Sequence, residues 1–289
     1  MDQWKQKISA FWKEQLRFHL RMVWDIFWEA RRAFTLDGCM NLSAALAFYT
    51  ILSLIPFLFL IISAAGFILG SSDEAHQMAL SFFDRLFPQA SASIFKEVKA
   101  ISERAEVLGW VGILSMIWTA SVVFSSLEYA MGVVFRVEKR RNLLKSRLLA
   151  LTMFPAAGAL FILSILVTAF SGVLHSEFFL KFILGYLFPY LILAFAFTAI
   201  YKIIPNTPIA FRHALAGGTS CAFLFELAKH FFTWYISRSS QYNIVYGSLE
   251  AIIILVVWTF YSSSILLFCA EVVSAYRRRD ITLLEKAFI

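Results

Sequence analysis

Glu226, Lys229 and His230 stand together in the middle of a long apolar stretch. Spacings of three and four residues place all three on one face of a helix. A charge near the centre of a bilayer costs about 2.5 to 3.5 kcal/mol on insertion scales, so this face is expected to point into a helix bundle or a wet cavity. Two chemistries fit. Glu226 and Lys229 can neutralise one another as a structural clamp, or the three can form a polar site or proton relay for a translocated solute. Ionisable groups inside a membrane favour the second reading.

Other polar groups could join them. Glu128 lies in a second apolar run and is expected to be a buried acid beside Glu226, whereas Glu250 and Glu271 lie near helix ends, where Glu271 can reach Arg277, Arg278 and Arg279. Tyr49 and Ser53, four apart, give the first apolar run a polar face. Pro56 cannot donate to the carbonyl of Leu52, so a kink, and with it a candidate gate, is expected there. Gly217 and Gly218 would let neighbouring helices approach closely.

Several chemistries find no support. The five histidines are scattered, without metal-ligand spacing, and the three cysteines Cys39, Cys221 and Cys269 form neither a zinc pattern nor a disulfide framework. No phosphate-binding glycine loop and no glycine-flanked nucleophilic serine occurs. Neither an enzyme, nor a cofactor, nor a bound metal is expected.

The elements that must position these residues are transmembrane. Sixty per cent of the residues are hydrophobic and only 16% charged, against roughly a quarter charged in a soluble domain. The excess lies in continuous runs long enough to cross a hydrocarbon core, which takes about 20 helical residues. We place spans at 43–70, 107–135, 148–174, 182–203, 213–236 and 247–276. Their continuous apolar character excludes a barrel of alternating strands. The expected architecture is all-α: a polytopic bundle of six transmembrane helices.

Charge gives the orientation. Nineteen of the 26 basic residues fall in residues 1–42, the loop after the second span and the tail 277–289, or flank the loop after the fourth span as Lys202 and Arg212 do. By the positive-inside rule that side, with both termini, is cytoplasmic. The net charge of +7 is then a topology signal, with some attraction to anionic headgroups, and nucleic acid is not an expected partner. Nothing in the first forty residues resembles a cleavable signal, so the first span is expected to be an uncleaved anchor.

Two amphipathic parts lie outside the spans. Trp4, Ile8, Trp12, Leu16, Leu20, Val23 and Phe27 recur at steps of three or four, predicting an interfacial helix over residues 3–35. Trp24 and Trp28 suit the headgroup boundary. Residues 71–106 carry the stripes Met78, Phe82, Leu86 and Ile94, Val98, Ile101, separated at Pro88, which predicts an exterior helical hairpin.

The motifs also carry a resemblance. Ala45 to Thr50 with Ser53 to Pro56, Trp118 to Ser121, Tyr201 through Pro205 and Asn206 to Arg212, Tyr246 with Gly247, and Trp258, Tyr261, Ser262 to Ser264 leading to Ala270 and Glu271 resemble, in order, the motifs of the YihY/BrkB family of bacterial inner-membrane proteins. Cys269 departs from an expected glycine, and Met131 stands where asparagine is frequent. The resemblance implies a six-span inner-membrane protein without an established activity. Its members have carried a ribonuclease BN label, for which no metal or acid-base cluster appears here.

The functional expectation is an inner-membrane transporter or lipid-handling protein, passive or ion-coupled, with Glu226, Lys229, His230, Glu128, Tyr49 and Ser53 along the pathway and membrane lipids as partners. The competing expectation is a non-catalytic scaffold for envelope proteins, or a homo-oligomer.

Overall fold

A computed structural model of the chain describes residues 21–57, 105–137, 187–238 and 249–288, with single positions at 17, 60, 148, 149 and 152. The expected hairpin 71–106 lies almost wholly outside these residues, as do the span 148–174 and the first turns of the N-terminal helix. Among the described residues the regular structure is entirely helical: α1 (21–36), α2 (Cys39–Leu52), α3 (Ala105–Val134), α4 (Phe188–Ile203), α5 (Phe211–Arg238) and α6 (Leu249–Phe288). Segments Cys39–Phe57, Trp110–Val134 and Ile252–Thr282 are long and apolar enough to cross a membrane; α4 is apolar but shorter. The protein is thus a polytopic helical membrane protein.

α6 is the organising element. It packs against α2, α5 and α3, while α5 packs most extensively on α4 and α2 also packs on α3. Small residues permit this closeness. A Cβ on Gly218 would fall 2.7 Å from the backbone nitrogen of Thr198 and 2.8 Å from the carbonyl oxygen of Ala194. Gly217 faces Val273 just as tightly. Cys269, where the family resemblance leads one to expect glycine, is fully buried in the core together with Cys221, Met131 and Leu267.

α1 meets this bundle at one end. Gly38 takes the left-handed conformation (φ 64°) between α1 and α2, a backbone region that glycine enters without steric cost, so the chain turns sharply there. The contacting face of α1 differs from the expected stripe: Ile26, Ala30 and Ala33 are buried, while Val23, Trp24, Phe27 and Trp28 stay exposed. Alanine lets α1 lie close to α6, and the larger aromatic rings are left to the surroundings. Phe27 and Phe34 meet Phe268 edge to face, and Arg278 and Arg279 pair with Glu29 and Asp25.

Residues 277–288 continue α6 as helix. The segment contains no glycine or proline to stop a helix, and Asp280 is held by Arg212 and by His213, 2.8 Å away. Ser274 Oγ donates to the carbonyl of Val134 (2.9 Å). The end of α3, the start of α5 and the late turns of α6 therefore converge with α1, and Arg21, Arg136, Lys202, Arg212 and Arg277 to Arg279 gather at that basic end.

Candidate functional site

α5 carries the ionisable trio as one paired unit. Lys229 Nζ lies 2.6 Å from Glu226 Oε2, and His230 Nε2 lies 3.9 Å from the same oxygen. The helix places them together, on a side of α5 away from its buried residues. His213, Gly217, Gly218, Cys221 and Ala228 form the buried side of α5. Lys229 and His230 stand on the other side, with side chains 48% and 67% exposed, and Glu226 is 22% exposed. Phe223, Leu227, Phe231 and Trp234 surround them, all exposed. The trio is thus a polar island on an outward, apolar face.

The remaining expected site residues lie elsewhere. Tyr49 and Ser53 are half-buried on α2 and Glu128 is half-buried on α3. α2, α3 and α5 each pack on α6. Pro56 is buried, and the helical run is interrupted at Ser53, three residues before it. The physical cause is the missing donor and the ring's clash with the carbonyl of Leu52. Ser53 Oγ bonds the carbonyl of Thr50 (2.6 Å), and Thr50 Oγ1 that of Leu46 (2.8 Å).

Below the trio runs a groove. A cavity of about 650 Å³ lies between α1, α4, α5 and α6, with walls that include Ile26, Phe27, Phe223, Leu224, Phe268 and Val272. Its volume falls within the usual range of small-molecule clefts, roughly 300 to 1,000 Å³. Tyr190 crosses it to bond the carbonyl of Thr219 (3.1 Å). On α5 the groove residues Thr219 and Phe223 continue at helical steps of four, three and four to Glu226 and His230. Residues so spaced follow one face of a helix. On α5 the cavity is lined as far as Leu224, and Glu226 and His230 follow on the same helix face within the next two turns.

The fully buried acid is Glu271, which the sequence reading had assigned to the basic tail. It is 0% exposed. Cys39 Sγ donates to Glu271 Oε1 at 3.7 Å, and Asp37 faces the same carboxyl within hydrogen-bonding reach. Arg278 does not neutralise it directly, because its guanidinium bonds Glu29 (3.0 Å) and Ser274 Oγ (2.9 Å). Seven residues separate Glu271 from Arg278, about 10 Å of helix rise, which already argues against a direct pair. His213 was also missed: it is buried, stacked edge-on with Tyr276 (4.6 Å) and bonded to Asp280.

No group of three or more histidine, cysteine or carboxylate side chains placed to hold a metal occurs among the described residues. The three cysteines are free and buried.

The sequence profile of a family described as Virulence factor BrkB matches residues 30–287. A UPF0761 membrane protein of Alkalilimnicola ehrlichii is 29% identical over 262 residues, which cover 89% of this chain and 59% of that protein. UPF0761 membrane proteins of Halorhodospira halophila and Pseudomonas aeruginosa are each 30% identical, over 83% of this chain and over 54% and 60% of their own lengths. The chain thus spans less than two thirds of the length of these curated relatives. No solved structure matches it.

Proposed function

The chain belongs to the BrkB family of membrane proteins, and from that premise we propose that it handles lipid in the bacterial inner membrane, moving it passively or with an ion. The observation that carries this reading is that the apolar groove lined by Thr219, Ser220, Phe223 and Leu224 lies one to two turns along α5 from the partly exposed pair Glu226 and Lys229 with His230. An acyl chain suits the groove. A polar headgroup, costly to bring into hydrocarbon, meets at the trio both signs of charge part-way through the bilayer. The basic end faces the cytoplasm in this reading, in keeping with the positive-inside rule, and the full chain crosses the membrane six times.

The test is lipid movement in proteoliposomes holding the full chain and a fluorescent phospholipid, whose outer-leaflet fraction is followed by chemical quenching. Ser220→Trp, which fills the groove, and the double change Glu226→Gln with Lys229→Met should each slow exchange at least tenfold while the protein still inserts. Exchange equal to that of protein-free vesicles in the unsubstituted protein sinks the proposal.

A scaffold reading draws on a different observation, the exposed aromatic surface of α1 formed by Trp24, Phe27 and Trp28. In that case Trp24→Ala with Trp28→Ala abolishes partner binding and the α5 variants do not.

A further inference from the structure

The Asp37 and Glu271 carboxyls pose a problem of buried polar atoms. Glu271 is inaccessible, and its Oε2, like Asp37 Oδ2, lacks a hydrogen-bond partner among the described residues. Asp37 stands two residues before Cys39, whose thiol reaches Glu271, so the two orphaned oxygens belong to carboxyls held at the same corner. Carboxylates are acceptors only, so two ionised groups repel and satisfy neither oxygen. Adding one proton changes both at once: a protonated carboxyl donates to the other, and the pair then carries a single negative charge. Leaving a buried polar atom unsatisfied is costly, and more so when it is charged.

Arg278 acts on Glu271 only through space, and the other charges nearby are engaged elsewhere. From α2, Cys39 already donates its thiol to Glu271 Oε1. From α6 itself, Arg278 is held by Glu29 of α1 and by Ser274, which bonds the end of α3. Arg279 is paired with Asp25 of α1. From α5, Arg212 and His213 are committed to Asp280. One turn beyond Cys39, on the same face of α2, Ser43 Oγ is likewise fully buried and without a partner among the described residues.

We propose that Asp37 and Glu271 form a proton-binding site, one proton held between Asp37 Oδ2 and Glu271 Oε2, which latches the α1–α2 corner onto α6. The proton enters from the aqueous phase at the basic end, where Asp37 is only half-buried. Its departure leaves two carboxylates face to face and drives the corner away from α6. The site goes beyond the lipid reading and does not depend on it, since the argument uses only the oxygens and their neighbours.

Infrared spectroscopy of the full chain in nanodiscs tests this directly, because a protonated carboxyl has a carbonyl stretch that carboxylates lack. The unsubstituted protein should show one such buried carboxyl near neutral pH, lost reversibly in alkali together with faster hydrogen exchange at residues 33–42. Glu271→Gln and Asp37→Asn each replace the proton by an amide donor, so both should fold, lose the band and lose the pH dependence of exchange. A band that persists in both variants overturns the proposal. So does its disappearance when sodium is added at fixed pH with the latch still closed, which would assign the site to a metal cation. Lipid exchange is not read in this experiment, so a failure here leaves the groove reading standing and a failure there leaves the latch.

Discussion

Replacing Gly218 by alanine isolates a close approach between helix backbones. The added Cβ would sit 2.7 Å from the nitrogen of Thr198 and 2.8 Å from the carbonyl oxygen of Ala194, both backbone atoms of α4 that cannot swing aside. Overpacking of a tight core costs about 1 to 3 kcal/mol, and alanine's better helix propensity returns up to about 1. The net expectation is a loss of roughly 1 to 2 kcal/mol, or about 2 to 8 °C in melting temperature for a chain of this size. Gly132 on α3 is the matched control, because a Cβ there meets nothing within 4 Å. Gly132→Ala should therefore be neutral or slightly stabilising. Tryptophan fluorescence melts of the full chain in nanodiscs compare the two. Equal stability of Gly218→Ala and the unsubstituted protein, or an equal loss in Gly132→Ala, would refute the packing argument.

Ala30 is fully buried where α1 meets the bundle, so Ala30→Leu should lift α1 at a cost of about 1 to 3 kcal/mol, seen as faster hydrogen exchange over residues 21–36. Lys229→Met alone should lower insertion efficiency, because it strands Glu226 in apolar surroundings at an insertion cost of up to about 3 kcal/mol; adding Glu226→Gln should recover most of that loss, and a double variant no better than the single would show the pair to be unimportant. Asp280→Asn weakens the ties to Arg212 and His213 and should loosen α6 after residue 280 by less than about 2 kcal/mol, measurable as exchange confined to that turn and the start of α5.

The sequence was most informative where a pattern depends on one helix alone. The pairing of Glu226 with Lys229 follows from a three-residue spacing, and the interruption before Pro56 from the chemistry of a missing N–H. Gly217 and Gly218 announced a close approach, although not that α4 would be the neighbour of Gly218 and α6 that of Gly217. The convergence of basic residues at one end was likewise visible as a segregation of charge among loops.

What was hidden depends on which face meets which neighbour. Periodicity predicts an interfacial helix with Trp24 and Trp28 at the headgroups, but it does not reveal that Ile26, Ala30 and Ala33 make the contact, because small residues let the helices approach. Periodicity likewise puts Glu226, Lys229 and His230 on a shared face without saying where that face points. The cost of burying charge favoured an inward direction. Pairing between Glu226 and Lys229 lowers that cost. That effect makes a partly exposed polar island sustainable.

Glu271 shows the opposite error for the same reason. Its closeness to three arginines in sequence implied an exposed acid, but Arg277 is turned to a different side of the helix, Arg278 lies two turns away and Arg279 is engaged with α1. The groups that matter to Glu271 come from the corner more than two hundred residues earlier, where Gly38 turns the chain and presents Asp37 and Cys39 to α6. A charge near one end of a span is therefore read wrongly if only its own helix is considered. In this bundle the paired charges can face outward because they carry their neutralisation with them, whereas Glu271, with no free cation within reach among the described residues, has to be settled by a proton.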